Sequence, residues 1–379
     1  MSVDGTSEIN PPLSPMTSQF LVDRVRGLND LELVVLLSLV ANEHCIIAAE
    51  EEALDPLEDE LKLVVEKVFG LSHAVVDCSE HTTLDDFARA ILIPDNRSDP
   101  SRAQSPTSLK QEGSYFRSKD LWIHSPAGPQ RFDAQGSIDT RKIANVVIAK
   151  NLDLASQQVQ VQALELLRTR RMFTRTEIHA APQSFLFIPL IAGTQPNPQL
   201  MRHLNDHIFM SHYHAPEDGF PNADEGTARI DSETESTESV VKKTPRDTEA
   251  LFSGTEIDNI GVKADLVTMD MDVKRYMHNI VVFLRMHRAV AGGVTSQSTR
   301  HMDLLVRCLA PLHALQFVTP SLVALAARKV YQHRIAITTV ANERSMQWGS
   351  DADAVAAYLD GLTAEDIIEE VLGMVDVPL

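Results

Sequence analysis

The chain has 379 residues, 44% of them hydrophobic and 23% charged, with a formal net charge of −19. That length exceeds the roughly 100–200 residues of one ordinary domain. The charge excludes a general binder of nucleic acid or anionic membrane, since such partners need clustered Lys and Arg. Aromatic residues make up only 5%, so the core must rest on Leu, Val, Ile and Ala. Cys45, Cys78 and Cys308 lie far apart and form no C-x-x-C pair. Neither a disulfide framework nor a zinc knuckle is indicated. The opening MSVDGTSEINPPLSP lacks the basic-then-apolar pattern of a signal peptide. No apolar run approaches the roughly 20 residues of a bilayer span. An intracellular setting, cytoplasmic or nuclear, is expected, with no membrane partner.

Taken in chain order, residues 1–19 are expected to be disordered. Phe20 to Val40 carries Leu28, Leu31, Leu33, Val34 and Leu37 at helical spacing, which predicts one amphipathic helix. Cys45 to Ala48 reads as a short buried strand, Leu57 to Phe69 as a helix stopped by Gly70, and Ala74 to Cys78 as the next strand. This alternation predicts a parallel sheet with helical crossovers. A Ser-, Pro-, Asp- and Arg-rich loop insertion covers about 95–113. Val146 to Ala149, Phe185 to Ile191 and Ile208 to Met210 complete five strands, so an α/β domain is expected over 20–214. The stretch 215–250 includes DSETESTES and has almost no large apolar residues to offset its chain entropy. It reads as a disordered insertion. Within such stretches Ser14-Pro15, Ser105-Pro106 and Thr244-Pro245 would suit proline-directed kinases, although such dipeptides are common in disordered tails. Beyond 250 the pattern is purely helical. Helices are predicted over Asp272 to Val290 and Ser298 to Leu315, then a third capped by Thr319 with Pro320 in its first turn. These form a helical domain over 251–340. Two short helices occupy 341–379, the last opening at Thr363 with Asp366 three residues on, a near capping box.

Residues Asn145 to Ile191 read NVVIAKNLDLASQQVQVQALELLRTRRMFTRTEIHAAPQSFLFIPLI. This resembles the stretch from the Walker B strand to the sensor 1 strand in AAA+ ATPases of the MoxR and magnesium-chelatase type. Leu164 to Phe187 is the closest part, with a helix, a basic hairpin carrying a phenylalanine, and the next strand. The run RYMHNIVVFLRMHRAVAGGVTSQSTRHMDLLVRCLAPLHALQFVTPSLVALAARKVYQHRI is similar to the family's lid helices. There Phe317-Val318-Thr319-Pro320 stands where the family enters its final long helix with Tyr-Val-Thr-Pro. The resemblance spans roughly 20–335 without the two insertions, and is nearest to a fungal magnesium-chelatase-like group. It implies an AAA+ type α/β fold, a five-stranded parallel sheet with flanking helices, followed by a small all-α lid domain. It also implies ATP and Mg²⁺ as cofactors, and ATP-driven Mg²⁺ insertion into protoporphyrin IX as the activity.

The residues at the matching positions argue against that activity. A P-loop needs GxxxxGK[ST], because backbone amides wrap the phosphates while Lys and Ser/Thr serve phosphate and Mg²⁺. After the first strand this chain reads AAEEEALDPL, with Asp55 and Pro56 where the Lys and Thr belong. Glu50, Glu51 and Glu52 would face the phosphates, each repulsion near 4 Å costing about 4 kcal/mol at an effective dielectric of 20. The Walker B Asp-Glu pair, which holds Mg²⁺ and polarises water, is Lys150-Asn151. The sensor 1 position falls among the apolar residues Leu190 to Ala192. The arginine finger falls on His207, in a LNDHI motif that keeps Asp206, and the sensor 2 arginine falls on Gln297.

Three further constellations carry candidate chemistry. Arg168, Arg170, Arg171 and Arg175 with Phe173 form one basic patch on an acidic chain, a candidate protein-binding hairpin; the bland alternative is a solvated turn with Phe173 packed beneath it. His203 and His207 are i and i+4 on a predicted helix, and His212 and His214 are i and i+2 at a strand end. Both spacings suit a metal, while scattered surface histidines are the commoner outcome. Glu50 to Glu52 with Glu58, Asp59 and Glu60 read as a solvated helix start, with an acidic Mg²⁺ site as the rarer alternative. The sequence reading is therefore a catalytically inactive, protein-binding or regulatory AAA+-like subunit with no cofactor, whose partners include an active AAA+ subunit. The alternatives are an active magnesium-chelatase-type ATPase and a metal-binding protein using the His203–His214 cluster.

Overall fold

A computed structural model describes residues 15–94, 141–174, 177–193, 200–223 and 250–378. The loop predicted over 95–113, Arg175, and the part of the predicted insertion at 224–249 lie outside the described residues. Helix α1 (Pro15–Arg26) starts inside the stretch expected to be disordered. It is followed by α2 (Asp30–Ala41), so the single helix predicted over 20–40 is two. The reason is local. The Asn29 side chain accepts from the Glu32 amide at 2.7 Å while the Glu32 carboxylate accepts from the Asn29 amide at 2.9 Å. This reciprocal box starts a new helix. Helix α2 is buried on nearly every side, as a core helix rather than a surface one.

Strand β1 (Cys45–Ala49) leads into a 3₁₀ turn (Glu51–Ala53) and α3 (Leu54–Leu63). The last turn of that helix widens over Val64–Val68 and stops at Gly70, whose φ of 60° favours glycine. Next come β2 (His73–Asp77), α4 (Leu84–Ala90) and the small antiparallel pair of β3 (Leu92–Pro94) with β4 (Arg141–Ile143). Strand β5 (Val146–Lys150) and α5 (Gln157–Thr169) follow. A hairpin, β6 (Arg171–Phe173) with β7 (Ile178–Ala180), precedes β8 (Leu186–Ala192). Helix α6 (Arg202–His207) and β9 (Met210–Tyr213) complete the α/β part.

The main sheet has the order β2-β5-β8-β1-β9, every pair parallel. Its inner strands are apolar without alternation because both faces are covered: CIIAA and VVIAK are buried at all five positions. Successive residues serve opposite faces. Ile46, Val147 and Phe187 meet α4, α5 and α6, while Ile47, Ile148 and Ile188 meet α2 and α3. Strand β9 begins two residues later than predicted. The Ile208 carbonyl is taken by the Arg334 guanidinium and, at 3.3 Å, by His333, so it is not part of a strand ladder.

The C-terminal part contains α7 (Gly254–Asp265), α8 (Met271–Met286), α9 (Ser296–Leu312) and α10 (Pro320–Tyr331), then α11 (Ala352–Leu359) and α12 (Ala364–Met374). It is not purely helical. The helix predicted over 272–290 ends at Met286, and β10 (Val290–Gly292) pairs antiparallel with β11 (Ala336–Ile337). Gly293, with φ of 101°, lies so close to the Arg334 carbonyl that a side chain would collide with it. Thr319 precedes α10 in extended conformation, but its hydroxyl meets Ser321 Oγ at 2.9 Å and caps no amide. The box at Thr363 and Asp366 forms as predicted, with bonds of 3.1 and 2.9 Å. These helices share one apolar core with α2 and α3.

The stretch predicted to be disordered from 215 begins instead with folded chain. Pro216–Asp218 make a 3₁₀ turn, and the amides of Asn222 and Ala223 donate to Glu60 at 3.0 and 2.9 Å. Asn222 Nδ2 adds bonds of 2.9 Å to Glu60 and 3.0 Å to Glu32. Glu60, read from the sequence as part of a solvated helix start, is fully buried and serves as the anchor for this segment. A buried carboxylate left short of donors costs about 1–3 kcal/mol. Asn222→Ala is accordingly expected to destabilise the fold by about 1–3 kcal/mol, read as a lower urea midpoint at unchanged slope. A loss below about 0.5 kcal/mol, the ordinary surface value, would show that the anchor is dispensable.

Candidate functional site

In an open parallel sheet, ligands bind beyond the carboxyl ends of the strands where crossovers leave in opposite directions. Here that point lies at the end of β1, between β8 and β9. The loop from Glu50 turns directly into the 3₁₀ turn and α3. Among the described residues, no φ is positive between Asn42 and Gly70. The loop amides therefore follow helical directions and do not form the concave nest that holds phosphate. Glu51 and Glu52 are exposed.

The side chains at this edge are already paired with each other. Lys150 Nζ donates to the Asp55 carboxylate and lies 3.3 Å from Glu58 Oε2. Glu58 Oε1 in turn lies 2.7 Å from Lys62 Nζ, which bonds Asp59 at 2.9 Å. The Lys150 side chain is 11% exposed and that of Asp55 85%. The hydrogen bond to Asp55 holds the Lys150 pKa above its ordinary value, and Glu58 does the same for Lys62. In a P-loop site the cation stands on the helix and the carboxylate on the strand. In this chain the two signs have changed places, and each neutralises the other. Pro56, in the first turn of α3, has no hydroxyl for a metal. Asn151 adopts the left-handed conformation (φ 54°, ψ 37°), and its amide donates to the Leu190 carbonyl at 2.8 Å. Asn is among the few residues that tolerate that backbone.

The six nucleotide-site positions inferred from sequence do not form one site. Asp55, Pro56, Lys150 and Asn151 gather at the carboxyl edge. His207 ends α6 just ahead of β9, at the amino edge of the same sheet. Its imidazole is half-buried, and burial, followed by the charge of Arg168, lowers its pKa. Gln297 bonds His301 at 2.7 Å and also Arg300. His301 Nδ1 meets Arg334 Nη2 at 2.6 Å, and the same nitrogen reaches the carbonyls of Asp206, at 3.2 Å, and Ile208. Asp206 Oδ1 accepts from Thr295 Oγ1 at 2.6 Å. These groups seat the helical part on the α/β part.

Sequence reading missed Arg334, which was taken only as the end of the lid match. It is 5% exposed, and burial lowers its pKa to about 10. A cavity of about 590 Å³ beside it is lined by Arg202, His203, Asp206, Thr295 and Arg334 among others.

The basic hairpin divides its arginines between two roles. Arg170 has φ of 55° and donates to Asn42 at 2.9 and 3.1 Å and to the Phe185 carbonyl at 3.3 Å. It is a structural tie. Arg168 and Arg171 are exposed. Phe173 does not pack beneath the turn. It is 47% exposed beside Ile178 at 63%, with the two residues paired across the hairpin, while Met172 and His179 face inward. Phe173 also lines a groove of about 670 Å³ with Leu84 of α4. Leu84 and the exposed Val161 of α5 line an adjoining groove of about 400 Å³.

The four histidines separate as well. His203 is exposed on α6 at the amino edge, whereas His212 and His214 are buried at the carboxyl end of β9, near Asp218. Among the described residues no helix is long and apolar enough to cross a membrane.

No protein-family model matches the chain. A solved structure from Cytophaga hutchinsonii, assigned as an ATPase, aligns with a TM-score of 0.61 at 10% identity, covering 96% of this chain and 98% of that one. That likeness shows the fold: this is an AAA+-type α/β sheet with flanking helices followed by a helical domain. Two proteins named maintenance of telomere capping protein 2 match part of the sequence. The one from Kluyveromyces lactis is 31% identical over 96 residues, which are 24% of this chain and 35% of that protein. The one from Lachancea thermotolerans is 33% identical over 95 residues, 24% of this chain and 33% of that protein. The match thus spans about a third of these relatives.

The exchanged ion pair can be tested by a charge-reversal cycle. Lys150→Asp alone is expected to cost about 2–4 kcal/mol, because it sets a new carboxylate against Asp55 and Glu58. Combining it with Asp55→Lys should recover at least half of that loss, a coupling of about 1–2 kcal/mol. Additive effects of the two changes would show that the pair contributes nothing as a pair.

Proposed function

We propose that this protein is a catalytically inactive AAA+-type subunit that works by binding another protein. The observation that carries the reading is the Lys150–Asp55 pair. A nucleotide would need a cation on α3 and a metal-binding carboxylate at the end of β5. The chain presents the opposite signs, tied together. The shape of the fold without its charges fits a scaffold or regulatory role. An active magnesium-chelatase-type ATPase would have to break this pair and bring phosphate against Glu50 to Glu52.

The binding face on this reading is the groove bordered by Leu84, Val161 and Phe173, lined also by Glu80, Asp85 and Glu165, together with the exposed Arg168 and Arg171 at the turn from α5 into β6. Exposed apolar side chains beside two exposed arginines suit a partner that offers an apolar surface with acidic groups at the arginines, and an active AAA+ subunit is the candidate. The partial likeness to proteins named for maintenance of telomere capping supports a nuclear setting for that assembly.

With millimolar ATP or ADP and Mg²⁺, the purified protein is expected to shift in melting temperature by less than about 1 °C. A ligand at 100 times its dissociation constant would add about 2.7 kcal/mol, worth several degrees at about 2–4 °C per kcal/mol. A saturable shift with ATP that vanishes on changing Asp55 or Asn151 would restore the ATPase reading.

The partner face has its own test. Arg168→Ser, Arg171→Ser and Phe173→Ser together should leave the melting temperature within about 2 °C, since all three are exposed. They should also reduce recovery of co-purifying protein by about tenfold or more, as expected for an aromatic and arginine anchor. Undiminished recovery with the triple variant would remove this face from the proposal.

A further inference from the structure

The carboxyl end of β9 carries chemistry that the inactive-subunit reading leaves unused. His212 and His214 point to one side of the strand with ring centroids 6.4 Å apart. Both are buried, and His212 Nε2 and both ring nitrogens of His214 have no hydrogen-bond partner. Buried polar atoms are almost always paired, so three such nitrogens on neighbouring rings call for a physical explanation. The other nitrogen of His212, Nδ1, lies 3.5 Å from Lys329 Nζ. His214 Nδ1 lies 3.9 Å from Asp218 Oδ2, too far for a hydrogen bond. Among the described residues, His212, His214 and Asp218 are the one group of three whose donor atoms all fall within 4.8 Å of each other.

We infer that His212, His214 and Asp218 bind a zinc ion. Two imidazoles and one carboxylate form a borderline donor set that suits Zn²⁺, with water in the fourth position. Ca²⁺ and Mg²⁺ favour oxygen ligands and are disfavoured by the same set. Bonds of about 2.0–2.1 Å in a tetrahedron place ligand atoms about 3.3 Å apart. The site therefore closes with about 1–1.5 Å of inward movement, which the exposed Asp218 side chain can supply while the backbone of its turn stays in place. The surroundings are built to hold that turn in place. Asp218 Oδ2 accepts from the Ala215 amide at 3.0 Å. Phe220 lies across the His214 ring at 5.2 Å, and Glu60 grips the next two amides. The His214 amide donates to the Ala48 carbonyl at 2.8 Å, which registers the site against β1. The ion would join β9 to the turn at Pro216–Asp218 and act as a structural clip. This inference does not depend on whether the neighbouring edge binds nucleotide.

The test uses the full chain stripped with EDTA and titrated with ZnCl₂ against a chromophoric chelator. One equivalent of Zn²⁺ is expected, together with a rise in melting temperature. Changing His212→Ala and His214→Ala together should weaken binding by more than about 100-fold, beyond the 10–100-fold typical of losing an outer-shell partner. Asp218→Asn, an exposed change that keeps the fold, should weaken it by about 10–100-fold. His203→Ala, on the other edge of the sheet, should leave the affinity unchanged. The inference is overturned if the stripped chain takes up no stoichiometric zinc. It is also overturned if Asp218→Asn binds as tightly as the parent, or if His203→Ala lowers affinity as much as the Asp218 change.

Discussion

A lysine at the end of an inner strand has to be neutralised where it stands, and in this protein that requirement organises the whole carboxyl edge of the sheet. The Lys150 side chain is 11% exposed, and its ammonium meets a carboxylate that is itself at the surface. Asp55 and Glu58 reach it from the first turns of α3, and Glu58 recruits Lys62 in the same helix. The helix start is thereby pinned against β5, and the loop after β1 shortens to one 3₁₀ turn. The shape of the loop, without a concave set of amides, and the pinning of the helix start thus have one cause.

A second set of polar groups does comparable work at the opposite edge. Arg334 brings together His301 of α9 and the carbonyls of Asp206 and Ile208 ahead of β9, while Thr295 holds the Asp206 carboxylate. The helical part is thus bound to the sheet by buried, charge-assisted contacts as well as by its shared apolar core. Lids that close over ligands are drawn from weakly held elements. The helical part here is held instead by buried polar contacts.

Much of this architecture was legible because it depends on short-range pattern. The strands showed as apolar runs, Gly70 marked a helix end, and Thr363 with Asp366 marked a helix start. The Asn29–Glu32 box was equally local, but the apolar spacing continues through it and hid the break. Strands β10 and β11 have three and two residues, too few to show a period. The hairpin failed for the same reason. With three residues to a strand, nothing in the sequence said whether Met172 or Phe173 faces inward. The site was harder, since its meaning lies in long-range partners. Asp55 and Lys150 were each read as unsuited to phosphate, but their pairing joins positions 95 residues apart. Glu60 looked like one more solvated acid until Asn222, 162 residues later, supplied its donors. Of the four histidines, the pair at spacing two was placed correctly on one strand face, and its acidic neighbour Asp218 was not seen.

The paired charges at this edge also constrain how the chain can change. A chain that carries Lys150 and Asp55 cannot acquire the charges of a nucleotide site at these two positions one substitution at a time without loss. Restoring the strand carboxylate first gathers like charges around α3, and restoring the helix lysine first sets two ammonium groups face to face. Either intermediate gives up a few kcal/mol from a total stability that is only about 5–15 kcal/mol in ordinary domains. The pair therefore works as a ratchet. With both residues in place, folding alone would oppose any single substitution that installs the opposite charge at either position, whatever the protein's task.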